Sequence, residues 1–77
     1  MMYYYVLKMV CGNRVRYITP NNRGRKTLSK STLFSSYERA NKKLQKCIAH
    51  EWYGKNATFE IKCVHIVEVD ENANNSR

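Results

Sequence analysis

Three features of this 77-residue chain predict an α+β domain of order ββαβ: a three-stranded antiparallel or mixed sheet with one amphipathic helix on one face. A run of strand formers interrupted by Gly12-Asn13 reads as a β-hairpin. Ser35-Ser36-Tyr37-Glu38 reads as the start of a helix, and an alternating stretch from Thr58 supplies the last strand. The length suits one small domain, 1–70, with a polar tail at 71–77 that is expected to fray.

The hairpin spans Met2 to Thr19. Tyr3, Tyr4, Tyr5, Val6, Leu7, Met9 and Val10 favour an extended chain, and Gly12-Asn13 permits the positive φ of a two-residue turn. Val15 to Thr19 returns, and Pro20 ends the strand because it has no N–H for a ladder. A two-residue turn sets Cys11 against Arg14, Val10 against Val15, Met9 against Arg16 and Lys8 against Tyr17. One face then carries Met2, Tyr4, Val6, Lys8, Val10, Val15, Tyr17 and Thr19; the other carries Tyr3, Tyr5, Leu7, Met9, Cys11, Arg14, Arg16 and Ile18. The first face holds one charge against two, so it is expected inward, and a one-residue slip would reverse that choice.

Residues 20–34 form a basic loop with no expected element, long for so small a domain. The capping box, with Ser35 as the cap and Glu38 reaching back, opens a helix expected over Ser36 to Tyr53. Tyr37, Ala40, Leu44, Cys47 and Ile48 share its apolar side, and Gly54 is expected as the left-handed closing residue. The last strand is expected over Thr58 to Val69, with Phe59, Ile61, Cys63, Val67 and Val69 on one side. One helix covers one side of such a sheet. Tyr3, Tyr5, Leu7 and Met9 are therefore expected on the uncovered side, where a second copy, another partner or stacked bases would meet them.

The net charge is +8, and its distribution matters more than its total. Residues 1–30 contain Lys8, Arg14, Arg16, Arg23, Arg25, Lys26 and Lys30 and no acid, whereas Glu60, Glu68, Asp70 and Glu71 fall in the last third. Such a field favours polyanions or acidic protein surfaces. Arg23 and Arg25 flank Gly24, so backbone and guanidinium approach an anion together. On the helix Arg39, Lys42 and Lys46 point outward with Lys43 at the flank, close enough to meet successive phosphates. The expected nucleic-acid contacts are thus Arg14, Arg16, Arg23, Arg25, Lys26, Lys30, Arg39, Lys42, Lys43 and Lys46. The plain alternative is a solvated charged surface. Tyr3 and Tyr5 beside Arg14 and Arg16 suggest a stacking platform for single-stranded RNA, with a core or dimer seam as the simpler reading.

Other chemistry finds less support. Cys47-x-x-His50 and Cys63-x-His65 supply metal-ligand types, but not at a familiar finger spacing; Cys47 and Cys63 are more simply buried apolar residues. No cofactor or metal is expected. Acids are scarce and no serine or cysteine has a base beside it, so binding is expected rather than turnover; a small metal-independent ribonuclease built on His50 with Lys43 and Lys46 is the weakest reading. Three widely spaced cysteines suit a reducing cytoplasm. No apolar run of about 18 residues occurs, and no membrane partner is expected.

In its short length, basic charge, abundant Asn, Lys and Tyr, and its strand-hairpin-helix-strand layout across 1–77, the chain resembles the small early proteins of T-even-type phages. That resemblance rests on composition and layout and transfers no functional residue. It implies host takeover or counter-defence by binding, in the host cytoplasm, for example on a host nuclease and its RNA. The expected partners are RNA or another nucleic acid, with a host protein as the alternative target of a protein-only inhibitor steered by charge, and a homodimer as a further association.

Overall fold

The computed structural model describes residues 2–66. The expected strand end at Val69 and the tail 71–77 lie outside the described residues. The fold is α+β, with one helix on an open four-stranded antiparallel sheet. Strands β1 (Met2–Cys11), β2 (Arg14–Ile18), β3 (Gly24–Arg25) and β4 (Thr58–Ile66) lie in the order β3-β2-β1-β4, and helix α1 spans Tyr37–Ala49. No helix among the described residues is long and apolar enough to cross a membrane.

The hairpin register is the expected one, from Lys8↔Tyr17 to Cys11↔Arg14, and Gly12 takes the positive φ (61°) that a two-residue turn requires. β1 is central and pairs along its length with β4, from Met2↔Ile66 to Val10↔Thr58.

The choice of inward face is overturned. Leu7 and Met9 are 0 % and 1 % exposed and pack with Ile18, Phe34, Ala40 and Cys47; Tyr5, Leu44, Phe59 and Ile61 surround them. Tyr5 also meets Tyr37 of α1 edge-on at 6.0 Å. Leu7, Met9 and Tyr5 therefore face the helix and are not a free partner surface. Tyr3 does remain exposed, stacked on His65 at 4.9 Å. The physical reason lies in where α1 sits. It packs mainly across β1 and β4; on β2 only Ile18 of that face enters the core, while Arg14 stays exposed and Arg16 partly exposed. Arg14 and Arg16 can share a face with the core without being buried, so counting charges along the hairpin was the wrong criterion.

The 20–34 segment is also more ordered than expected. Thr19 and Arg23 close a tight turn, the Thr19 N–H donating to the Arg23 carbonyl at 2.7 Å and the Arg23 N–H to the Thr19 hydroxyl at 2.9 Å. β3 then pairs Arg25 with Tyr17 and Gly24 with Ile18, adding the fourth strand. A 3₁₀ turn, Lys30–Thr32, follows; the buried Thr32 hydroxyl donates to the Ser29 carbonyl at 2.7 Å and accepts from the Ser29 N–H at 3.1 Å. Phe34 next bridges Tyr5 where β2 has ended: the Phe34 N–H donates to the Tyr5 carbonyl at 2.8 Å and the Tyr5 N–H to the Phe34 carbonyl at 3.0 Å. Its ring enters the core.

The helix is shorter than expected at both ends. Ser36, not Ser35, is the N-cap, its hydroxyl accepting from the Arg39 N–H at 3.2 Å. At the other end Glu51 (φ 49°) takes the left-handed position that closes the helix, and Gly54, which also has positive φ (89°), closes the next turn by donating its N–H to the Glu51 carbonyl at 3.0 Å. The Trp52 N–H reaches the Cys47 carbonyl and the Glu51 N–H reaches that of Ile48, the paired bonds of a Schellman closure.

Candidate nucleic-acid interface

The elements gather the basic residues into two adjoining depressions. The first, about 330 Å³, lies where the loop meets the N-terminal half of α1 and is lined by Pro20, Leu33, Phe34, Ser35, Arg39, Lys42 and Lys43. The second, about 580 Å³, is bounded by Thr19, Asn21, Ser31, Arg23, Arg25 and Lys30 and shares Pro20 and Leu33 with the first. The shared residues make the two hollows one surface, with Arg39, Lys42 and Lys43 on one side of the Pro20–Leu33 ridge and Arg23, Arg25 and Lys30 on the other.

Local chemistry holds this surface in shape. The Lys43 ammonium donates to the Asn22 side-chain carbonyl, and Asn22 can offer it because it occupies the left-handed region (φ 67°) in the Thr19–Arg23 turn. One loop residue is thereby tied to the helix. Among the described residues the ion pair found is Lys62–Glu60 at 2.9 Å, on the other side of the sheet. No described carboxylate neutralises Arg23, Arg25, Lys30, Arg39, Lys42 or Lys43. Among the described residues the strip is cationic throughout.

The remaining predicted contacts fall elsewhere. Arg14, Arg16 and Lys26 line a third hollow with Cys11 and Asn13, on the part of the helix-side face that α1 leaves open. Arg16 there donates to the Val15 carbonyl at 2.8 Å. Lys46 is exposed on α1 but lines none of the three hollows. The stacking platform expected from Tyr3, Tyr5, Arg14 and Arg16 does not form. The sheet face turned away from the helix instead carries Tyr4, Val6, Lys8, Val10, Val15, Tyr17 and Lys62, as the registers require.

Arg25 joins the two regions. It lines the second depression, and it also stands opposite Tyr17, which stands opposite Lys8, which stands opposite Glu60. The groups along that row act on one another: Glu60 is held below its ordinary carboxylate range by the Lys62 hydrogen bond and charge and by Lys8, and Lys62 is raised by Glu60 first and by Tyr17 in a smaller degree. The cationic strip and the sheet face are therefore continuous. Sequence reasoning missed Tyr17, Lys62, Asn22 and the structural role of Phe34. Pro20-Asn21-Asn22 was the available signal for a turn that brings the chain back beside β2.

Metal chemistry gains nothing from the geometry. Among the described residues no three of His, Cys, Asp and Glu come together, and the His50 ring is stacked on Trp52 at 5.4 Å. Cys47 is buried, and burial pushes its thiol up against the smaller opposing pull of Lys43. No family model, no curated protein and no solved structure matches the chain.

Proposed function

We propose that this protein is a non-enzymatic nucleic-acid-binding module that seats the phosphates of a single-stranded RNA on the strip around Pro20 and Leu33. One observation carries the reading: six cations from two separate stretches of chain line adjoining hollows, with no described carboxylate beside them. Phosphate contact explains such a concentration because each neutralised phosphate releases condensed counterions. A single strand suits it better than a duplex. Where the strip runs onto the sheet at Arg25, it meets the half-exposed Tyr17, a flat ring on which a base can stack while the backbone follows the cations.

The test is the salt dependence of oligonucleotide affinity. Binding of a fluorescent single-stranded RNA by about six phosphate contacts weakens by roughly three hundredfold between roughly 50 and 200 mM salt. Replacing Arg23, Lys30, Arg39 or Lys42 by alanine lowers the slope of log K against log salt by somewhat under one each, roughly 0.7. Lys55→Ala, exposed and outside the hollows, leaves it unchanged. Absence of binding at low salt, or equal losses for Lys55→Ala and the strip variants, overturns the reading. Capture of one protein partner without RNA affinity would instead favour the inhibitor alternative.

A further inference from the structure

Among the described residues the sheet ends at β4, a nine-residue strand with a neighbour on one side only. Its hydrogen-bonding direction follows from the bridge at Tyr5. The N–H and carbonyl of Tyr5 are committed to Phe34, on the side away from β4. In an antiparallel ladder the aim of these groups alternates, so even-numbered residues of β1 face β4, and the β4 residues paired with them face back. Phe59, Ile61 and Cys63, paired with the odd residues of β1, therefore direct their N–H and carbonyl groups outward from the sheet.

An exposed edge of this kind invites another strand, and proteins commonly guard it with a repelling charge. Here Glu60 and Lys62 stand two residues apart on one face, so the edge is complementary to itself rather than repellent. We infer that β4 pairs with β4 of a second copy, antiparallel about a two-fold axis at Ile61. In that register Ile61 exchanges both hydrogen bonds with its own counterpart, and Phe59 exchanges with Cys63. Glu60 lies opposite Lys62 twice over, at the non-hydrogen-bonded positions where side chains approach most closely. The axis is normal to the sheet, so both helices stay on one side. Ile48, 52 % exposed on α1, borders a hollow with Ala57 and Phe59 at this edge, and pairing gives that apolar rim a partner. The association is independent of nucleic acid, since the strip lies around β3 and the N-terminal half of α1.

Sedimentation velocity across micromolar to millimolar protein tests it. The wild-type chain runs at twice its chain mass, and Glu60→Lys and Lys62→Glu each run as monomers because like charges face each other at both positions. The double variant E60K/K62E restores the dimer, and an equimolar mixture of the two single variants forms it as well, which shows that each is folded. Cys63→Pro removes an outward N–H without changing charge and also gives a monomer; proline is tolerated on an edge strand whose N–H faces out. A wild-type chain monomeric throughout overturns the inference. So does a dimer that survives both single charge reversals or Cys63→Pro.

Discussion

The three cysteines occupy three environments, and their chemistry should separate accordingly. Cys63 is exposed on the edge strand, Cys11 is half-buried, and Cys47 is 1 % exposed between α1 and the sheet. Burial favours the neutral thiol at Cys47, and the ammonium of Lys43 offsets only part of that effect. At protein concentrations low enough to keep the chain monomeric, alkylation with iodoacetamide under mildly alkaline native conditions should modify Cys63 first, Cys11 next and Cys47 last, with Cys47 slower than Cys63 by at least about tenfold, since the thiolate is the nucleophile. Mass spectrometry of a timed series reads this directly; equal rates for Cys47 and Cys63 would contradict the packing of α1. The same group links stability to pH. Its folded value lies above its unfolded one, so its contribution is complete below the ordinary thiol range and drains away as pH rises through the raised folded value. Tyr53, raised by burial and then by Cys47, acts in the same direction at higher pH.

Among the elements, the helix end holds the clearest strain. Glu51 adopts φ 49° at the position where a Schellman closure ordinarily places glycine, and a side chain there costs roughly 1–2 kcal/mol. Glu51→Gly removes that cost and gives back part of it as unfolded-chain entropy, so a net gain of about 0.5–1 kcal/mol and a rise of a few degrees in Tm are expected by calorimetry. A fall in Tm would mean that the Glu51 side chain does more than cap. This helix end also marks how far the sequence was legible. Hairpin, register, helix and last strand follow from local signals: Gly12-Asn13, a serine cap, and alternation after Thr58. β3 does not, because two residues carry too little propensity to announce a strand, and its pairing with Tyr17 and Ile18 depends on the turn Thr19–Arg23. Phe34 was unreadable for the same reason, since its bridge exists only because β2 stops short of Tyr5. The inward face depended on where α1 lies across the sheet, a tertiary fact that no alternation within the hairpin contains. Of the site, the loop and helix cations were legible as residue types, and their meeting at Pro20 and Leu33 was not.

The cationic strip and the edge inferred to pair with itself lie at opposite edges of one sheet. The strip belongs to the β3 side and the self-complementary edge is β4. Pairing through β4 gives the strand order β3-β2-β1-β4 followed by its mirror sequence, and at about 4.8 Å per strand the two outer strands stand roughly 34 Å apart. A short oligonucleotide fills one strip and cannot span that distance, whereas a long flexible strand reaches both. The second contact is then intramolecular, and its gain depends on the connecting nucleotides rather than on new protein contacts. Cys63→Pro isolates this effect because it leaves every charge of the strip in place. It should match the wild type on an oligonucleotide long enough for one strip and bind a long single-stranded RNA at least about tenfold more weakly. Equal affinities on the long RNA, with the wild type dimeric in the same buffer, would mean that the two strips face directions one polymer cannot join. Equal losses on both lengths would place the substitution's effect within the strip itself. A deficit confined to the long strand ties the edge and the strip to a single mode of action.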